Sequence, residues 1–263
     1  MNTPVGHIPC QIIAHRGASW DAPENTIAGF RLAWAQHADA VECDIRLSRD
    51  GRILVMHDPT SLRTTGVEYA LAECSSGELG NLDAGRWKSP AYAGERVPFL
   101  EEVLETVPSG KKLFIEVKCG AEILPVLEKV LPDDSPSFCT LMGFDGGTVA
   151  ILKKRFPEHR VLWLCEFPRR APITGAVNNT EALIEQAKAL RVDGINVRNR
   201  GMTDDCVRLV REAGLGLYVW TVNNVREAVR FLSWDVDGIT TDRPGWIREH
   251  LSARGLRSRG GYR

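Results

Sequence analysis

QIIAHRGASWDAPENTIAGFRLAWAQH, residues 11–37, sets the pattern for the whole chain. It opens on an apolar run that reads as a strand. His15-Arg16-Gly17 then break the run, and from about Asn25 onwards the apolar residues recur at helical spacing. The unit repeats. Strand-like stretches return at 40–47, 112–118, 138–144, 160–166, 193–198, 216–223 and 237–242. Helical patterns follow them over 99–107, 122–131, 148–156, 180–190, 204–214, 225–234 and 245–251. Eight strands, each followed by a helix, predict an α/β fold of the TIM (β/α)8 type, which takes about 250 residues. The near-continuous apolar runs fit strands buried on both faces. A doubly wound open sheet is the competing architecture. The alternation breaks once: after the second strand a return arm, GRILVMHD (51–58), leads into a polar, loop-rich stretch. We read residues 58–98 as a small insertion in a single domain spanning 1–263.

The bulk composition narrows the function. The 263 residues are 43% hydrophobic and 25% charged, as in ordinary globular proteins. A net charge of −1 argues against a nucleic-acid binder driven by bulk charge and leaves only a local basic patch for that role. Seven cysteines (10, 43, 74, 119, 139, 165 and 206) stand singly with no C-x-x-C pair, which fits reduced thiols rather than a disulfide framework. MNTPVGHIPCQ has no charged n-region and no long apolar core, so no signal peptide is expected. No apolar run reaches the roughly 18 residues of a spanning helix. A cytoplasmic protein without stable membrane insertion is the expectation, and the Gly- and Arg-rich tail RGLRSRGGYR is expected to fray.

In such a barrel, chemistry collects at the C-terminal ends of the strands. Those ends carry His15 and Arg16, Glu42 and Asp44, Glu116 and Lys118, Trp220 and Asn223, and Asp242. Side chains alternate along a strand, so Glu42 and Asp44 share a face, as do Glu116 and Lys118. Carboxylates inside apolar strands are costly to bury uncompensated. Three converging on one mouth make an oxygen-rich site for a divalent cation, Mg²⁺ or Ca²⁺. The plainer alternative pairs Glu42 and Asp44 with Arg46, Arg16 or Lys118. Arg16 and Lys118 suit an anion such as phosphate.

The return arm adds a histidine. SRDGR places Asp50-Gly51 between two alternating runs, a hairpin signal. With those two residues as the loop, His57 falls opposite Asp44, at the mouth where His15 is expected. Nearby acids would favour its charged form, which suits a general acid and leaves His15 as base, though the roles are exchangeable. His7, His37, His159 and His250 read as exposed or capping residues. Trp220 reads as either core or a substrate wall. Pro23-Glu24-Asn25-Thr26 reads as a helix start, with Pro early and an acid in the first turn.

Taken together, HRG, PENT, VECDIRLSRDG, VMHD, IEVK, VWTVN and GITTDRP, spread over residues 11–248, resemble the glycerophosphodiester phosphodiesterase family. The resemblance implies a TIM barrel with a small insertion, a divalent cation, and hydrolysis of glycerophosphodiesters to glycerol 3-phosphate and an alcohol such as choline or ethanolamine. Carried over, it makes His15 and His57 catalytic and makes Glu42, Asp44 and Glu116 the metal ligands. It gives Arg16 and Lys118 the phosphate, and sets Trp220 near the substrate. Phe99 departs from the pattern, standing where threonine is common. A lysophospholipase D-type enzyme on the same fold is the runner-up, but 58–98 has no long apolar stretch to receive an acyl chain. A catalytically dead binding module would show decayed histidines or ligands, and an aldolase would need a differently placed lysine.

Overall fold

The structure of the protein, a computed structural model, describes residues 7–8, 10–166 and 176–258. Most of the segment read as lacking a leader, and the last five residues of the tail, lie outside the described residues. The strands are β1 (Gln11–Ala14), β2 (Ala40–Leu47), β3 (Lys112–Val117), β4 (Cys139–Gly143), β5 (Arg160–Cys165), β6 (Gly194–Arg198), β7 (Gly216–Trp220) and β8 (Gly238–Thr241). Each pairs in parallel with its neighbours, and β8 returns to β1 with Thr241 beside Ala14. That closing pair distinguishes a barrel from an open sheet. Helices such as Ile27–Ala35, Gly146–Arg155, Asp204–Glu212 and Val225–Ser233 form the outer ring. Among the described residues no helix is long and apolar enough to cross a membrane.

Alternation along the strands sorts the barrel interior into layers, each supplied by every second strand. Ala40, Thr140, Gly194 and Gly238 form the base. Small residues are needed there, because a Cβ on Gly238 would sit 2.8 Å from the Tyr218 ring and 2.9 Å from Ile13. Above them Ile13, Phe114, Leu162 and Tyr218 make an apolar plug, with Phe114 and Tyr218 edge-to-face at 5.5 Å. The next layer is Glu42, Met142, Asn196 and Thr240. His15, Glu116, Leu164 and Trp220 complete the series at the mouth. The barrel is a packed core below and a polar recess above.

The first loop departs from the sequence reading in one respect. The first helix starts after Pro23-Glu24-Asn25 rather than within it, capped by Thr26, whose hydroxyl accepts from the Gly29 amide at 3.1 Å. Pro23 and Glu24 therefore precede the helix, and Glu24 is free for other work. The hairpin also differs. Arg49-Asp50-Gly51 make a three-residue loop with Gly51 at φ 78°, and the return strand Ile53–Val55 pairs Val55 with Ile45 and Ile53 with Leu47. A loop one residue longer shifts the register by one, so Met56, not His57, stands opposite Asp44, and its amide donates to the Asp44 carbonyl at 2.9 Å. The ladder ends at Val55, and His57 still lines the mouth.

Residues 58–98 hold two short helices, Leu62–Thr65 and Ser76–Gly80, over a small apolar cluster of Leu54, Met56, Leu71, Leu79, Ala84 and Val97. Asp50 ties this segment to the hairpin, accepting from the Ser76 amide and hydroxyl, each at 2.8 Å.

Gly17 fixes how the chain leaves β1. Its φ is 83°, and a Cβ there would lie 2.6 Å from the Gly29 carbonyl carbon. We expect Gly17→Ala to destabilise folding by about 2 kcal/mol or more, from combined backbone strain and overpacking. Urea unfolding would show this as a fall in midpoint, and an unchanged midpoint would refute the close approach.

Candidate active site

The mouth is a cavity of about 120 Å³ lined by His15, Arg16, Glu42, His57, Glu116 and Lys118 on its polar side. Met142, Phe144, Leu164 and Trp220 form its apolar wall. All eight residues singled out from the sequence are brought together here, with Asp44 just beneath. Glu42, Asp44 and Glu116 are buried, and they offer carboxylate oxygens that all lie within 4.8 Å of one another.

Part of the plainer ion-pair reading holds as well. Asp44 meets Arg16 Nε at 3.1 Å and Lys118 Nζ at 3.3 Å, and it accepts from Asn25 Nδ2 at 2.8 Å. Lys118 Nζ also lies 2.5 Å from Glu116 Oε1, and Glu42 Oε2 accepts from the Arg16 amide at 2.9 Å. Arg46 takes no part, donating instead to the His57 carbonyl. Two cations against three carboxylates leave the cluster short of positive charge. Glu42 Oε1 has no donor, while Asp44 Oδ1 and Glu116 Oε1 meet Lys118 without hydrogen-bond geometry.

The carboxyls respond accordingly. Burial, reinforced by Asp44 and Glu116, pushes Glu42 well above the usual carboxylate range. Burial and the charge of Asp44 raise Glu116 to about 7 despite its contact with Lys118. Asp44 goes the other way: burial opposes ionisation, but Arg16 and Lys118 outweigh it and hold its carboxyl below the ordinary value. An oxygen-only set with unmatched negative charge fits a hard divalent cation.

Each histidine is held through Nδ1 by an aspartate. His15 Nδ1 lies 2.6 Å from Asp242 Oδ1, and Asp242 also accepts from Asn223 at 2.5 Å and Ser19 at 3.2 Å. Burial alone would raise the Asp242 carboxyl, yet these hydrogen bonds keep it low. His57 Nδ1 lies 2.6 Å from Asp58 Oδ1, while Arg63 Nε donates to Asp58 Oδ2 at 2.5 Å. Burial resists ionisation of Asp58, but Arg63 and His57 bring it down to about 2. Both aspartates are ionised near neutrality, so each Nδ1 is the donor and each Nε2 is the atom left for chemistry.

Arg63 does more than hold Asp58. Its two terminal nitrogens bind both oxygens of Glu24 at 2.8 Å, and Glu24 accepts from Arg16 at 2.9 Å. One insertion residue thus braces both His57 and Arg16. Glu24 therefore orients Arg16 and has no place in the first turn of the helix. Asp242 and Asn223 were legible as strand ends, and Asp58 as the neighbour of His57. Phe144 follows directly on β4 and could have been found by the same rule. Arg63 gives no such signal, because nothing periodic places it.

The surroundings of His57 act against the charged form that nearby acids are expected to favour. Burial lowers its pKa, and Arg16 and Lys118 add to that, together outweighing Asp44 and Asp58. Trp220 serves as both core and wall: its ring meets Phe144 edge-on at 5.6 Å and its Nε1 donates to the Asn196 carbonyl. His159, expected at the surface, is buried with its Nε2 2.9 Å from the Ser135 hydroxyl. His37, His159 and His250 do not line the mouth.

This charge balance is measurable. Asp58→Asn removes a negative neighbour and leaves Arg63 facing His57, so the His57 pKa should fall further. An NMR titration of the His57 ring proton in cation-free protein would read it. A rise would refute the pairing.

Residues 15–246 match the Glycerophosphoryl diester phosphodiesterase family. A glycerophosphodiester phosphodiesterase from Caldanaerobacter subterraneus subsp. tengcongensis is 33% identical over 244 residues, covering 89% of this chain and 94% of that one. Among solved structures, a phosphodiesterase of Oleispira antarctica in complex with the product sn-glycerol-3-phosphate is 28% identical with a TM-score of 0.80, covering 92% and 96% of the two chains. Glycerophosphodiester phosphodiesterase from Agrobacterium tumefaciens is 27% identical with a TM-score of 0.75, covering 90% and 98%. With its closed parallel barrel and a match that spans nearly its whole length, this chain belongs to the glycerophosphoryl diester phosphodiesterase family.

Proposed function

We propose that the protein hydrolyses glycerophosphodiesters, such as glycerophosphocholine or glycerophosphoethanolamine, to sn-glycerol 3-phosphate and the free alcohol. The observation that carries this is the convergence of three buried acids beside two aspartate-held histidines in one recess. The product bound in the Oleispira neighbour supports the same substrate class. Glu42, Asp44 and Glu116 would hold one Mg²⁺ or Ca²⁺. Bound there, the cation supplies positive charge against the negative charge that builds on the phosphoryl oxygens.

The protein's own residues divide the remaining work. Arg16 and Lys118 bind the phosphate, and Glu24 keeps the guanidinium of Arg16 in place. Trp220 and Phe144 wall the substrate and exclude water from one side. His57, whose pKa is lowered by burial, takes a proton through Nε2 from the attacking water as its oxygen bonds to phosphorus. His15, aligned by Asp242, gives a proton to the leaving alkoxide as the phosphorus–oxygen bond to the head-group alcohol breaks. This exchanges the roles expected from the sequence. A cytoplasmic setting is our reading, supported by seven unpaired cysteines, five of them buried.

Two outcomes test this reading. Chelation, or Glu42→Gln, should reduce hydrolysis of glycerophosphocholine by at least about 100-fold. Mg²⁺ or Ca²⁺ should restore the chelated enzyme, and full activity without a cation would sink the metal assignment. Cation affinity should also weaken as pH falls through about 7, because a proton on Glu116 competes with the ion. Calorimetric titration at pH 8 and pH 6 measures that.

The histidines separate by leaving group. His15→Ala should cripple hydrolysis of a choline diester yet largely spare a nitrophenyl diester, whose alcohol needs no protonation. His57→Ala should depress both. The opposite pattern in kcat would return the acid role to His57.

A further inference from the structure

The layer of side chains beneath the histidines contains something the proposed chemistry does not use. In a barrel of this kind a core layer is built mainly from Val, Ile and Leu. Here the four positions are Glu42, Met142, Asn196 and Thr240, contributed by β2, β4, β6 and β8. Glu42 belongs to the acidic cluster. Asn196 and Thr240 belong to nothing described so far, although they are only 1% and 2% exposed. Among the described residues, neither Asn196 Oδ1 nor Thr240 Oγ1 has a protein hydrogen-bond partner. The Asn196 amide nitrogen makes only a 3.6 Å contact to Met142 Sδ. Both residues line the recess.

An unpaired buried polar atom costs free energy that an apolar residue of the same shape would not. Valine at 240 and leucine at 196 would complete the apolar wall that Met142, Leu164 and Trp220 begin. Polar atoms held here at such a cost need partners that enter through the mouth. An amide oxygen accepts and a threonine hydroxyl both donates and accepts, and neither carries charge. That chemistry suits neutral hydroxyl groups. It does not suit phosphate, which Arg16 and Lys118 already serve, nor an acyl chain or a trimethylammonium group.

We propose that Asn196 and Thr240 form a polyol-binding floor that receives the free hydroxyls of the glyceryl moiety. The inference rests on the reading of the site as a glycerophosphodiester hydrolase. It adds the orientation of the substrate: glycerol points down into the barrel, and the head-group alcohol lies towards the rim. It also gives a reason for rejecting acylated glycerol, since an ester in place of a hydroxyl would bury a chain against two polar atoms.

The test compares sn-glycero-3-phosphocholine with two deoxy analogues, one lacking the terminal hydroxyl and one lacking the central hydroxyl. Wild-type enzyme should prefer the full glyceryl diester over at least one analogue by about 10- to 100-fold in kcat/KM, as expected when a site's buried polar groups are left unpaired. Thr240→Val and Asn196→Leu should collapse that preference, and Thr240→Ser should keep it. Without ligand, Thr240→Val should melt no lower than wild type, because no protein hydrogen bond is lost. Equal rates on all three substrates in the wild type, an unchanged preference in both variants, or a lowered melting temperature in Thr240→Val would each overturn the proposal. Inactivity of the wild type on every diester would instead overturn the substrate class itself.

Discussion

Three carboxylates share one buried mouth with too few cations, and most of what surrounds them follows from that constraint. Removing an ion from water costs several kcal/mol even after relaxation, and like charges within a few ångströms add to the cost. Arg16 and Lys118 both reach Asp44, while Lys118 lies closer still to Glu116 and, among the described residues, Glu42 meets no side-chain cation. The balance appears as raised carboxyls on Glu42 and Glu116. The cation proposed for this cluster would relieve that imbalance.

The insertion helps to keep that mouth in order. Arg63 reaches over from residues 62–65 to grip Glu24 with two nitrogens and Asp58 with a third. Through those two acids it restrains a guanidinium and an imidazole that follow different strands. An exposed ion pair by itself contributes little to stability, roughly 0–1 kcal/mol. Arg63 is about half exposed, so its value lies in geometry rather than in folding energy. The backbone adds its own restraint: Arg16 and Asn25 both have left-handed φ, near 56° and 54°, and the Asn25 amide donates to the Arg16 carbonyl. Strained backbone of this kind persists only where neighbours over-determine it.

How much of this was visible in the residues follows a physical divide. Periodicity is local, so it revealed the alternation of strand and helix, the face shared by Glu42 and Asp44, and the clustering of charge at strand ends. Register depends on turn geometry. Asp50-Gly51 suggested a two-residue loop, whereas Gly51 takes the left-handed position that ends a three-residue one, and every pairing beyond it moved by one. The Thr26 cap hid for a similar reason: Pro23 marks a helix start by composition, but the hydroxyl three residues later satisfies the free amide. The charge of His57 required burial and every surrounding charge at once, and no pattern encodes that sum. Arg63 was invisible because its partners lie 5 and 39 residues away, joined only by the fold.

The barrel interior shows how one rule can make both a core and a site. Alternation sends every second side chain inwards, whatever its chemistry, so composition alone decides what each layer becomes. Glycine and alanine at the base let Tyr218 and Phe114 close the bottom. Ile13 and Leu162 complete that plug. Two residues beyond the base on their own strands, the same geometry delivers Glu42, Asn196 and Thr240, and two residues beyond Ile13 and Phe114 it delivers His15 and Glu116. The plug fixes the depth of the recess, and the polar side chains above it share their layers with Met142, Leu164 and Trp220. A packed floor therefore closes Glu42, Asn196 and Thr240 off from below while they face the recess. The strands that carry the chemistry are held in place by the apolar residues directly beneath it.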